Sequence, residues 1–142
     1  MFAPQDRDQL RQTYIDAWRR REDPAQLSAL ERLIVEVCTL HPEYQPILAD
    51  AESAKQAEFL PEMGQSNPFL HMGMHIAIRE QLMTDRPPGF VAAYRTLIGK
   101  LGDAHEAEHQ IMECLGQALW EAQSNGRPPD DSSYLECLKR IA

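Results

Sequence analysis

Apolar residues recur along this chain at three- and four-residue spacing, the pattern of one-sided helices. Nowhere do they alternate with polar residues between turn signals, as half-buried strands do. From Gln5 to about Arg21, Leu10, Tyr14, Ala17 and Trp18 line one stripe. Asp23-Pro24 reads as the cap and first residue of a second helix. That helix carries Leu27, Leu30, Ile34, Val37 and Cys38 and stops near His41-Pro42, because the residue before proline is pushed out of the α region. Glu43 to Leu60 is weaker; Pro46 can open a surface helix holding Leu48, Ala51 and Phe59. Pro61 to Ser66, with Gly64, reads as a loop.

Asn67-Pro68 is a strong start signal, a capping side chain followed by proline at the first helical position. The helix it opens runs to about Thr84, and Asp85-Arg86-Pro87-Pro88-Gly89 is a turn. Phe90, Tyr94, Leu97, Ile98 and Leu101 mark the next helix, which ends at Gly102. Asp103 caps a helix reaching about Ser124, closed by Asn125-Gly126-Arg127-Pro128-Pro129. Asp131 or Ser132 opens a last helix with Tyr134, Leu135, Leu138 and Ile141. The expected fold is all-α, a single-domain bundle of about five or six helices, with the Asn67–Thr84 and Asp103–Ser124 helices in contact.

Composition narrows the function classes. The chain has 142 residues, 43% hydrophobic and 25% charged, which suits one folded core. A net charge of −8 disfavours nucleic-acid backbones and anionic lipid surfaces as partners. No apolar run is long enough for a bilayer, and the start turns charged at once, so neither a membrane span nor a signal peptide is expected. The three cysteines, Cys38, Cys114 and Cys137, form no C-x-x-C pair. They are expected as reduced thiols, which places the protein in the cytoplasm.

The chemistry sits on the histidines. Four of the five occur as two His-x-x-x-His spacings, His71/His75 and His105/His109. Residues four apart share one face of a helix, so two imidazoles can converge on one cation. His71, His75, Ile78 and Leu82 fall on one stripe, widened by Met72 and Ile76. Gly73 lies between the two histidines, where another backbone could come close. His105, His109, Met112, Gly116 and Leu119 share the second stripe, with Glu113 beside it and Glu106 about a quarter turn away. Buried imidazoles carry donor and acceptor nitrogens that need partners, at about 1–3 kcal/mol for each one unmet.

A divalent transition metal would meet several acceptors together. The ligand set is therefore His71, His75, His105 and His109, with Glu113 as a fifth ligand or as an acceptor fixing an imidazole. Zinc, iron, nickel and manganese all fit such a set. The same spacing is met by structural histidines hydrogen-bonded to Glu106, Glu108 or Glu113. His105-Glu106-x-x-His109 also matches the zinc-hydrolase motif with a glutamate base, but without a third ligand or a substrate-holding strand. Glu106-x-x-His109 is half of a bundle di-iron signature whose other half is missing. His41, three after Cys38, is a weaker candidate, since such a histidine commonly caps a helix C-terminus.

Several blocks resemble a known family. They are Ala17-Trp18-Arg19, His41-Pro42-Glu43-Tyr44, Asn67-Pro68-Phe69-Leu70-His71-x-x-x-His75 and Asp85-Arg86-Pro87-Pro88-Gly89. Gly102-Asp103-Ala104-His105-x-Ala107-Glu108-His109, Met112-Glu113-Cys114-Leu115 and Trp120-Glu121-Ala122-Gln123 extend the likeness over nearly the whole chain. The chain resembles small bacterial proteins grouped as domain of unknown function 1841. The resemblance implies one helical domain and brings no activity with it. Two function classes follow. The first is a metal-binding protein; the alternative is a non-enzymatic interaction module with structural or pH-responsive histidines, pairing with itself or another protein.

Overall fold

Where two local start signals compete, the one that satisfies more backbone donors decides where a helix begins. Asp23-Pro24 opens only a single 3-10 turn, Pro24–Gln26, and the second α-helix begins at Ala29. Ser28 accepts from the Glu31 backbone N–H at 3.1 Å, and the Glu31 carboxylate accepts from the Ser28 N–H at 3.0 Å. This reciprocal capping box meets two donors at once, where Asp23 makes no side-chain cap.

The computed structural model describes residues 4–57 and 67–142. The expected loop at Pro61–Ser66 and the placement of Phe59 lie outside the described residues. The α-helices are α1 Pro4–Arg19, α2 Ala29–Thr39, α3 Gln45–Ala49, α4 Ala51–Gln56, α5 Pro68–Thr84, α6 Phe90–Leu101, α7 Ala104–Asn125 and α8 Asp131–Ile141. A second 3-10 turn, Pro42–Tyr44, follows α2. The described residues are all helix and connection, without a strand. The eight α-helices among the described residues exceed the five or six expected, in part because the weak segment after Glu43 divides at Asp50. The Asp50 carboxylate accepts from the Ser53 backbone N–H at 3.2 Å and from its hydroxyl at 2.9 Å, which starts α4 afresh.

The chain packs as two compact units, one ending at Ile76 and one beginning at Ala77. In the first unit α1 packs on α2, α3 and α4. Its core includes Tyr14, Ile15, Trp18, Ile34, Val37, Leu48, Ala54, Phe69 and Met72. The 45–56 segment is thus no mere surface helix, since Leu48 and Ala54 are fully buried. Arg11 is buried beside them and donates to the carbonyls of Ala54 at 2.8 Å and Ala57 at 2.7 Å. It satisfies acceptors that the end of α4 leaves open. Leu10 and Leu30, expected in the core, are about half exposed, while Tyr14, Ala17, Trp18, Leu27, Ile34, Val37 and Cys38 of the same stripes are buried as expected.

In the second unit α7 packs on α6 and α8, and α6 on α8. Phe90 stacks near Tyr94 and Tyr134, and the Tyr134 hydroxyl donates to Gln81 Oε1 at 2.7 Å. Cys114 on α7 and Cys137 on α8 are joined in a disulfide. That corrects the expectation of three reduced thiols; only Cys38 is free. The pairing depends on which faces of two helices meet, and a separation of 23 residues carries no local sign of it.

Gly73 also differs from expectation. The nearest atom to an added Cβ is the Tyr14 hydroxyl at 3.5 Å, an ordinary contact, and not a neighbouring backbone. Gly73→Ala is therefore expected to stabilise the fold by about 0.5–1 kcal/mol through helix propensity. Urea unfolding would check it: the midpoint should rise with an unchanged slope.

Candidate metal centre

Both His-x-x-x-His spacings sit at the start of capped helices, and the caps fix which turn each imidazole occupies. Asn67 Oδ1 accepts from the backbone N–H groups of Phe69 at 2.9 Å and Leu70 at 3.3 Å. With Pro68 as the first residue of α5, His71 lies one turn in and His75 two. Asp103 accepts from the His105 backbone N–H at 3.0 Å and starts α7 in the same way.

In the first unit the two α5 imidazoles are joined by a third. The ring centroids of His71 and His75 are 4.9 Å apart. His41 lies 5.1 Å from His71 and 4.7 Å from His75. Tyr44 stacks on His41 at 5.3 Å and lies 5.9 Å from His71. His41 and His75 are buried, and His71 is half-buried. His41 is placed by the end of α2. Pro42 halts that helix, and the His41 Nδ1 turns back to within 2.7 Å of the Val37 carbonyl. A carbonyl only accepts, so Nδ1 carries the hydrogen and Nε2 keeps the lone pair a metal would use.

The core of this unit carries two buried sulfur side chains. Cys38 Sγ lies 3.3 Å from Met72 Sδ, both fully buried. Tyr14 meets Phe69 edge-on at 5.6 Å.

In the second unit the rings of His105 and His109 stand 4.3 Å apart on α7, both half-buried. The carboxylate buried on this helix is Glu108, 3% exposed, whose Oε1 lies 3.3 Å from Arg79 Nε on the second half of α5. This ion pair joins α5 to α7, as expected of those helices. Glu106 and Glu113 are exposed. The buried face of α7 runs through Ala107, Glu108, Ile111, Leu115 and Ala118, about one position from the expected stripe, which leaves Leu119 42% exposed.

Among the described residues, His41 and His75 in the first unit and His105 and His109 in the second each offer a ring nitrogen that a metal ion could take. Sequence spacing named three of these and ranked His41 below them, because a lone histidine before a proline has no partner in its own turn. No helix among the described residues is long and apolar enough to cross a membrane.

The sequence profile of a domain of unknown function (DUF1841) matches residues 6–140. The chain belongs to the DUF1841 family. No curated protein and no solved structure matches it. DUF1841 membership brings no reaction with it, so the chemistry of the histidines is argued from the residues themselves.

Burial fixes the protonation of two groups in the core of the first unit. It pushes the Cys38 thiol up to about 12. It pushes the Tyr14 phenol up to about 12 as well, with Cys38 adding to the shift. A folded value above the unfolded one means stability that is complete below the unfolded value and is lost as pH rises through the folded value. Unfolding free energy should therefore hold to about pH 8.5 and fall steadily toward pH 12. Cys38→Ala should flatten the first part of that decline, read as the urea midpoint against pH.

Proposed function

We propose that this protein binds a divalent first-row transition metal through one ring nitrogen each of His41, His75, His105 and His109. The observation that carries the reading is the gathering of imidazoles. Three lie within 5.1 Å of one another in the first unit, and two lie 4.3 Å apart in the second. Their grouping as ligands to a single ion is our inference. His71 joins the set as a fifth ring packed against His41 and His75. Glu113, being exposed, stands outside it.

An all-imidazole set suits zinc, nickel or iron(II) better than manganese, which favours oxygen donors. A set of four protein ligands also resembles closed structural sites more than open catalytic ones. The hydrolase alternative asks Glu106 to act beside the metal as a base, and its exposure argues against that role.

The test uses untagged protein. Elemental analysis, with zinc, nickel and iron(II) titrations, is expected to find about one ion per chain. Each of His75→Ala and His109→Ala should weaken binding by roughly 100-fold or more, while Glu113→Ala leaves it unchanged. Metal at one hundred times its dissociation constant should add about 2.7 kcal/mol of stability. A folded protein that retains none of the three ions would end the reading.

The interaction-module alternative draws on one observation. Trp120 is 67% exposed and adjoins Leu119 on α7, an apolar pair in water. If that pair joins two copies, sedimentation should show a concentration-dependent dimer that Trp120→Ser disperses. A wild-type monomer at high concentration would remove self-association.

A further inference from the structure

The Cys114–Cys137 disulfide takes no part in the proposed metal chemistry, and it is not sealed inside the core. Both cysteines line a cavity of about 200 Å³ between α7 and α8, together with Gln117, Glu121, Ser133 and Arg140. Most of that lining is polar or charged, so the cavity is a place for water and polar solutes. The two half-cystines differ in access. Cys114 is 2% exposed on the buried face of α7, whereas Cys137 is half-buried on α8. Arg140 lies one turn beyond Cys137 on the same helix and lines the cavity with it, as do the carboxylates of Glu121 and Glu136.

We infer that this disulfide is a thiol-exchange site in the folded protein, entered at Cys137 Sγ by an external dithiol. The incoming thiolate forms a bond to Cys137 Sγ as the Cys114–Cys137 bond breaks. Cys114 leaves as a thiolate and takes up a proton from water. The second thiol of the reagent, once deprotonated, attacks the mixed disulfide, releases Cys137 as a thiolate that is then protonated, and closes the reagent's own disulfide. The protein gains two electrons and the dithiol loses two. Helix α8 then loses its covalent tie to α7, while Tyr134 and Leu138 stay buried and keep it docked.

A disulfide that serves only as a staple would open when the protein unfolds. The two cases separate in a direct experiment. Folded protein is incubated with dithiothreitol in native buffer, quenched with an alkylating agent and weighed by mass spectrometry with peptide mapping. The expected result is alkylation of Cys114 and Cys137, with Cys38 unmodified and the far-ultraviolet circular dichroism unchanged. Reduction that occurs only in urea, in step with the unfolded fraction, would overturn the inference.

The point of entry has its own test with cystamine as the probe. Cys114→Ser leaves Cys137 as the remaining thiol of the pair and should capture half of the reagent as a mixed disulfide, releasing cysteamine. Cys137→Ser, with Cys114 remaining, should react at least ten times more slowly. Equal or reversed rates would overturn attack at Cys137. The native reduction assay needs neither variant, so it stands even where one fails to fold.

Discussion

An imidazole taken out of water keeps one donor and one acceptor, and each nitrogen must find a partner or destabilise the fold by about 1–3 kcal/mol. This chain takes on that demand at His41 and His75, which are nearly inaccessible to solvent. Much of the local structure around them answers it. Pro42 stops α2, and His41 therefore leaves helical geometry. The freed side chain folds back to the Val37 carbonyl, which fixes its tautomer. On α5, the Asn67 cap and Pro68 set the helix start and thereby the turn on which His75 sits. Moving the Asn67 cap by one residue would turn the His75 imidazole by about 100° about the α5 axis. The caps and the imidazoles are thus one arrangement, written in the order of the residues.

The features legible in the sequence were those decided within a few residues. Asn67, Asp103, Gly102 and Gly126 mark helix ends through side-chain acceptors or left-handed backbone, and each does so where expected. Asp23-Pro24 failed as the start of α2 because a second local signal, Ser28 with Glu31, satisfies two donors reciprocally. Rotation of a helix about its own axis is a different kind of quantity. Leu10 and Leu30 look like core residues by spacing and are half exposed, while Arg11 looks like surface and is buried. The carbonyls at the end of α4 decide the case of Arg11, and no pattern within α1 announces them.

The same limit governs the histidines and cysteines. Spacing alone singled out His71, His75, His105 and His109, since a ladder of i and i+4 is a property of one helix. It ranked His41 lower because that residue reaches the cluster from a separate element. It passed over Glu108 in favour of Glu106 and Glu113, because a rotation of one position exchanges which carboxylate is buried. The disulfide lay furthest from view. It needs the packing of α7 on α8, and an odd cysteine count without a C-x-x-C pair suggested the reverse.

Glu108 also bears on which metal chemistry the proposed site can support. Its carboxylate is buried and engaged with Arg79, so a hard oxygen donor near His109 along α7 is already held by a cation. Drawing it to a metal would leave the guanidinium to face the buried surroundings without that carboxylate, which is costly. The proposed donors are imidazole nitrogens. Such a set leaves the full charge of a divalent ion in place. Within the proposed site, strong imidazole binders are favoured over manganese. The ion pair one residue from His109 thus shapes the proposed centre as firmly as the imidazoles themselves.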